Sequence, residues 1–332
     1  MAFDNIKLEK GLYTTGKSFT KALEELDPSE NYKGTSLEGL DAYERQLKRF
    51  DIKVSGSNSD PVSKFFATTD SAALFPEYIS RAVQLGMTDN NKVERIVATT
   101  TEIDSMDYRS VSTGNLAADF ALSEVDEGEE LPELTIKLND NLTTLKKHGK
   151  MLVSSYEAIK FQKLDLFTAV LKHIGTYIAN SEFEQAVAAI VAHENIKSFA
   201  IQSSNLDFVD IVNVWATFAP YNMTSLVMNS NSLARLLLMN EFRDSYAGLD
   251  SHATGNMITP FGAELFTSKD LPNNTVLAFD KNCTLEKVQA GGVLTEFDKL
   301  IDRQLERATI STIVGFSTIY GDAATVLKPA GE

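Results

Sequence analysis

One cysteine among 332 residues, Cys283, leaves this chain unable to close an internal disulfide or to build a thiolate zinc site of its own. The four histidines, His148, His173, His193 and His252, are scattered, and none belongs to an H-E-x-x-H pair. The G-x-x-x-x-G-K-[ST] phosphate loop, the G-x-G-x-x-G dinucleotide turn and the G-x-S-x-G elbow are all missing. Gly291-Gly292 runs into Val293-Leu294 without a further glycine and reads as a turn. Apolar runs are too short to cross a bilayer, and Met1-Ala2-Phe3-Asp4 lacks the basic-then-apolar plan of a secretion leader. These absences point to a chain made and used in a reducing, cytoplasm-like setting. They predict no catalytic residue, no cofactor, no metal and no membrane.

Positive charge is also scarce. Forty-six acidic residues face thirty-one basic ones, for a formal net charge of -15 at pH 7. The densest basic stretch, Arg45, Lys48, Arg49 and Lys53, reads as interleaved with Asp41, Glu44 and Asp51. A duplex-reading surface concentrates cations where it meets phosphate, so the composition argues against sequence-specific nucleic-acid recognition. Isolated candidates for chemistry read as structure. Cys283 has no histidine nearby in sequence, and His173 flanks an apolar helix stripe. Asp104 and Asp107 suit a turn, Glu182 and Glu184 the wet side of a long helix, and Trp215 with Phe218 a core.

What is present is a folded chain. A 43% hydrophobic share is too high for general disorder, and the length allows about two or three compact units. Residues 1–61 are polar and turn-rich and read as an arm. It holds a short helix at Ser18–Leu26 and an amphipathic one over 36–50, where Leu40, Tyr43, Leu47 and Phe50 recur at helical spacing. Val54–Pro61 is a connector, and Pro76 suits the first turn of a helix over Pro76–Leu85. From Val93 to Val153 short alternating runs predict strands, among them Arg95/Val97/Thr99, Leu134–Leu138 and Met151–Val153. Between them Glu124–Glu133 holds six acids and no base, which excludes it from a core. Leu116, Phe120, Leu122, Leu134, Ile136 and Leu138 around it need cover. On a projecting hairpin, that cover is another subunit.

Ser154 or Ser155 can cap a helix start, Ser154-x-x-Glu157 fitting a capping box, with a break near Lys160-Phe161. Leu164, Phe167, Leu171, Ile174 and Ile178 then form one stripe that Phe183, Val187 and Ile190 continue. The spacing predicts a helix over Leu164–Val191, about 42 Å long at ~1.5 Å per residue. Beyond it the text turns α/β: a helix over Leu206–Phe218 stopped at Pro220, a strand Ser225–Met228 and a helix Ser232–Met239. Strands Ala263–Phe266 and Thr275–Phe279 follow, then β-rich Thr309–Tyr320 and Ala323–Leu327.

The order of these pieces resembles the major capsid protein family of tailed bacteriophages, the HK97 type. The resemblance is carried by KFFATTDSAALFPEYISRAV (Lys64–Val83), SEVDEGEELPELTIKLND (Ser123–Asp140), KKHGKMLVSSYEAI (Lys146–Ile159), IANSEFEQAVAA (Ile178–Ala189) and RATISTIVGFSTIYGDAATVLK (Arg307–Lys328). It implies an α+β HK97-like capsid fold. An N-terminal arm with short helices would occupy 1–92, and an extended β-hairpin loop with peripheral-domain strands 93–153. The spine helix of the peripheral domain would fall in 154–194, an axial domain in 195–306 and a return to the peripheral domain in 307–332.

The function so implied is a structural subunit of an icosahedral head, self-assembling into pentamers and hexamers around double-stranded DNA. Its place would be the virion capsid, assembled in the host bacterial cytoplasm. Implied partners are further copies of the chain, a separate scaffolding protein, a portal, a decoration protein and packaged DNA contacted non-specifically. Loop contacts would come from Leu116, Phe120, Leu122, Glu124, Asp126, Glu127, Glu129 and Glu130, and spine-helix packing from Leu164, Phe167, Leu171, Ile174 and Ile178. Residues 93–136 contain no lysine, so the Lys–Asn weld of some family members is not expected. Two alternatives stand beside this reading: an encapsulin-type bacterial nanocompartment shell, and a soluble α/β enzyme built on 206–281.

Overall fold

A computed structural model describes residues 2–8, 10–13, 19–105, 107–112, 124–128, 137–138, 142–155, 161–201, 206–243, 259, 261–300 and 305–329. The backbone divides into two compact units. One holds Met1–Asn90, His148–Ile178 and Gly292–Thr312; the other holds Asn91–Lys147, Ala179–Gly291 and Ile313–Glu332.

The first unit is helical around one core. Its helices are α1 (Phe19–Leu26), α2 (Ala42–Arg49), α3 (Thr69–Ala72), α4 (Phe75–Asp89) and the first half of α5 (Leu164–Val191). Asp41 starts α2 by accepting the Glu44 N–H at 2.8 Å, while the Glu44 carboxylate takes the Asp41 N–H at 3.1 Å. Proline stands in the first turn of α4, where its missing N–H costs nothing. The core gathers Phe19, Leu23, Tyr43, Leu47, Phe65, Phe75, Ile79 and Val83 with Leu164, Leu171 and Ile178, and with Ala308 and Ile310. Phe167 and Ile174 are half-buried against it.

The segment read as an arm contributes to this core. Leu8, Phe19, Leu23, Tyr43 and Leu47 find cover within the chain. A fully buried arginine sets the arrangement: Arg45 donates to Asp27 Oδ2 at 2.7 Å and to the Leu40 carbonyl at 2.6 Å. Its guanidinium lies 4.4 Å from the Tyr32 ring centroid. Short helices with one apolar face each look poor in sequence, because a single buried stripe needs few apolar residues.

Two glycines decide how α4 meets α5. A Cβ at Gly86 would overlap the Lys172 backbone, and one at Gly175 would overlap the Val83 carbonyl and crowd the Met87 nitrogen at 2.9 Å. The helices therefore touch backbone to backbone, a distance that only glycine permits.

The second unit carries a five-stranded mixed sheet. Its strands are β5 (Lys197–Ala200), β6 (Ser225–Met228), β7 (Glu264–Thr267), β8 (Val276–Phe279) and β12 (Ala324–Lys328), in the order β5-β12-β8-β6-β7. The outer pairs are parallel and the inner ones antiparallel. Both faces are covered. Leu226, Met228, Val276 and Ala278 meet α6 (Phe208–Ala216) and α7 (Ser230–Leu238) through Ile211, Val214, Leu233 and Leu236. Val227, Leu277, Phe279 and Val326, on the other face, pack on Phe183, Ala186, Val187 and Ile190 of α5. Alternation of side chains between two covered faces explains why whole strands read as apolar runs.

The other strands are β1 (Thr99–Ile103), β2 (Val111–Ser112), β3 (Lys137–Leu138), β4 (Lys146–Ser155), β9 (Leu285–Ala290), β10 (Leu294–Leu300) and β11 (Leu305–Thr318). In the second unit β9 lies between β1, parallel, and the end of β11, antiparallel. In the first, β10 runs antiparallel to β11 from Leu294↔Ser311 to Leu300↔Leu305.

Two expectations need correcting. The strand foreseen from Arg95 begins at Thr99, because Val93 and Ile96 are buried together in a turn closed by a 3.0 Å Ile96 N–H to Val93 carbonyl bond. β4 runs through Ser155, and α5 begins at Leu164, whose N–H donates to the Asp60 carbonyl at 2.9 Å. The capping box expected at Ser154-x-x-Glu157 extends onto residues outside the described ones. Trp215 is 49% exposed and lies outside the core, since α6 turns Ile211 and Val214 to the sheet; Phe218 is buried.

Candidate functional site

The excursion after β1 is zipped at its root. The Thr143 N–H donates to the Tyr108 carbonyl at 2.8 Å, and β2 pairs antiparallel with β3 as Val111↔Leu138 and Ser112↔Lys137. That register puts the midpoint of the intervening segment at Glu124 and Val125, where the acidic run begins. Glu124, Asp126 and Glu127 are exposed, and Gly128 takes a positive φ of 92° in the turn. Leu116, Phe120, Leu122, Glu129 and Glu130, and with them Leu134 and Ile136, lie outside the described residues.

A buried carboxylate organises the root. Glu286 of β9 is 5% exposed and accepts hydroxyl bonds from Thr101 at 2.6 Å, Tyr108 at 2.6 Å and Ser110 at 2.5 Å. Burial, then the bond to Glu286, pushes the Tyr108 phenol above its ordinary range. Three charge-assisted donors replace the water this carboxylate loses. Replacing Glu286 with Ala leaves those hydroxyls without their acceptor, so it is expected to cost about 1–3 kcal/mol. Amide exchange at Tyr108–Ser110 should quicken ahead of the rest of the unit, and unchanged exchange there would refute the role.

The next side chain on β9 points to the opposite face. Lys287 meets Glu182 of α5 at 3.0 Å, with side chains 10% and 3% exposed. Glu184 bonds the Ser268 hydroxyl and takes the Lys269 N–H at 3.0 Å. Both findings correct the wet-side reading of these glutamates. That stretch of α5 is packed into the second unit, where its polar residues need partners. The available signal was the pair Glu286-Lys287 between the apolar Leu285 and Val288 of β9.

A second basic run, missed in favour of Arg45–Lys53, lies in β4. Lys146, Lys147 and Lys150 are exposed, and His148 between them is half-buried with Nε2 unpartnered. Among the described residues none of the three lysine side chains makes an ion pair or hydrogen bond, and neither do the side chains of Glu124, Asp126 or Glu127.

The first half of α5 is apolar on more than its core side. Leu164, Leu171 and Ile178 are buried, whereas Leu166, Val170 and Tyr177 are 59%, 46% and 62% exposed. His173 lies in the same outer row, edge-on to Tyr177 at 4.8 Å between ring centroids. A helix with apolar residues all round belongs in an interior, and the outer row is uncovered in the single chain.

Chemistry finds little support. The half-buried Cys283 thiol is pushed up to about 12, first by burial and then by Asp280 and Asp322, the reverse of an activated nucleophile. Asp104 and Asp107 are exposed, and no group of three His, Cys, Asp or Glu among the described residues is placed to hold a metal ion. No described helix is long and apolar enough to cross a membrane. A cleft of about 1040 Å³ in the first unit is lined by Leu8, Tyr13, Phe66, Pro76, Met151 and Arg307, among others. Arg307 there is tied to Asp298 at 2.5 Å.

No family model matches the sequence, and no curated protein matches it. Solved structures do. The virus-like particle from Pyrococcus furiosus aligns at 14% identity over 76% of this chain and 98% of its own, with a TM-score of 0.53. The capsid of the native GTA particle aligns at 14% identity over 73% and 91%, with a TM-score of 0.55. The capsid of the cyanophage P-SCSP1u aligns at 14% identity over 72% and 88%, with a TM-score of 0.50. At such identities the likeness is one of backbone path.

Proposed function

We propose, from the premise that this chain has the α+β HK97-like capsid fold, that it is a major capsid protein: a structural, non-enzymatic subunit that assembles with copies of itself into a closed shell. One observation carries the reading. The likeness runs through nearly the whole length of known shell subunits, so the fold is shared as a complete building block. The outer row of α5 supports it, because Leu166, Val170 and Tyr177 gain roughly 25 cal/mol per Å² when a neighbour covers them. Ordering costs offset part of that gain at each contact, and repetition over many copies makes the remainder sufficient.

In this reading the excursion near 97–140 is the extended loop lying on an adjacent subunit, and pentamers and hexamers close the head around double-stranded DNA. The first half of α5 belongs to the peripheral domain, and 195–306 supplies most of the axial domain. The virion capsid is its place, and assembly happens in the host cytoplasm. A separate scaffolding protein, a portal and a decoration protein are the partners such a head uses. The negative charge of the subunit suits a wall that confines DNA without gripping it.

Electron microscopy of the purified chain, alone and with the products of neighbouring genes, tests the reading. Regular hollow particles are expected, and a monodisperse monomer at high concentration would overturn it. Deleting Ser123–Pro132 should leave the thermal unfolding of the subunit nearly unchanged while particles fail to form. A deletion variant that still assembles normally would remove the loop from the contact. The match to an archaeal virus-like particle keeps a second reading in play, a protein-filled compartment shell. Particles that carry a packaged protein favour it; particles with a portal vertex and DNA favour the phage head.

A further inference from the structure

The geometry points to the cleft of the first unit as a binding site for a small amphipathic organic cation, an amine on a compact apolar body. The inference goes beyond the shell reading and does not depend on it. Every lining residue belongs to the first unit, so the cleft exists within one compact body. Its volume of about 1040 Å³ stands at the upper end of the range for small-molecule sites. A macromolecular contact needs a far wider surface.

Apolar side chains supply the seat. Leu8, Tyr13, Phe66, Pro76 and Met151 line the cleft, and Met151 is 51% exposed. Tyr13 is fixed at both ends. Its ring stacks on Phe19 at 4.4 Å between centroids, and its hydroxyl donates to the Ala73 carbonyl at 2.7 Å. A wall held in this way loses little freedom when a ligand lands on it.

Charge selects the ligand. Three carboxylates, Asp70, Glu296 and Asp298, line the cleft with two cations, Lys7 and Arg307. Strand register accounts for the surplus. Residues directly opposite in β10 and β11 share a face, so Asp298 meets Arg307 whereas Glu296 meets the neutral Thr309. Asp70 is spare as well, because the cap of α3 is Thr68, whose hydroxyl accepts the Ser71 N–H at 3.1 Å. Among the described residues neither the Asp70 nor the Glu296 side chain makes an ion pair or hydrogen bond. An ammonium head finds unpaired carboxylates here, and aromatic rings in the wall add to its attraction. An anionic head would meet the same two acids while Arg307 is engaged by Asp298.

Benzoylbenzylamine and benzoylbenzoate test the site, since they share a body and differ in the sign of the head. Equilibrium dialysis in the dark with the full-length chain gives affinity. Illumination then lets the ketone label what it touches, and peptide mass spectrometry maps the label. The amine is expected to bind with a Kd of about 1 mM or tighter and to label Met151 above the other methionines. The benzoate should bind about tenfold more weakly, because it trades an attraction for a repulsion. Asp70→Asn/Glu296→Gln should remove most of that difference, and Ala72→Trp, which fills the cleft, should abolish labelling of Met151.

A benzoate that binds as tightly as the amine overturns the site. So does amine label spread over the surface without preference for Met151, or a folded Asp70→Asn/Glu296→Gln chain with unchanged amine affinity. The first two readouts use the wild-type chain and hold whether or not a variant folds.

Discussion

Gly175→Ala is expected to destabilise the first unit by about 3 kcal/mol or more, although alanine at a helix-interior glycine normally gains about 1 kcal/mol. The sign reverses because of where the added methyl would go. It would overlap the Val83 carbonyl and crowd the Met87 nitrogen and the Gly86 carbon, so a backbone would have to move rather than a flexible side chain. Gly86 is held in the reciprocal position against Lys172, which means that separating the helices breaks both contacts at once. Chemical denaturation with a probe in the first unit measures the effect. Gly292→Ala is the control, since a Cβ there meets nothing within 4 Å, and it should be close to neutral. A Gly175→Ala protein as stable as wild type would mean that α4 and α5 are not in backbone contact.

Lys287→Met should cost about 3–5 kcal/mol, because it leaves the Glu182 carboxylate buried without its cation. Glu182 is 2% exposed, and its Oε1 has no hydrogen-bond partner even with Lys287 present. The carboxylate therefore depends on one ammonium. Removing both charges in Lys287→Met/Glu182→Leu should recover most of the loss, since apolar residues of similar volume fill such a site without a desolvation cost. Denaturation midpoints of the two single variants and the double variant form the cycle that measures the coupling. A single variant costing under about 1 kcal/mol would show that water reaches the pair.

Both effects involve residues whose importance is invisible locally. Gly175 in isolation reads as a weak point in a long helix, and Glu182 as one of many acids on a charged chain. Helical spacing was enough to place α5 at Leu164–Val191, and the helix foreseen over Ser232–Met239 is α7, which starts two residues earlier behind Asn229, whose side chain accepts the Ser232 N–H at 2.8 Å. The strand Ser225–Met228 was legible for the same reason: a short apolar run between turn residues has few other uses. Failures came where a local pattern met a longer-range competitor. Trp215 lost its expected burial because α6 had other apolar residues to offer the sheet.

Composition and periodicity alone were sufficient to establish a folded, acidic chain of mixed helices and strands with one long helix, no disulfide framework and no recognisable catalytic motif. Those properties depend on residue type and on neighbours within a few positions, and a linear string contains both. The close passage of Gly86 and Gly175, the three hydroxyls on Glu286, the Lys287–Glu182 pair and the cover given to residues 1–62 depended on the folded chain. Each joins positions tens to hundreds of residues apart, and separation in sequence carries no distance until the backbone has closed the loop between them.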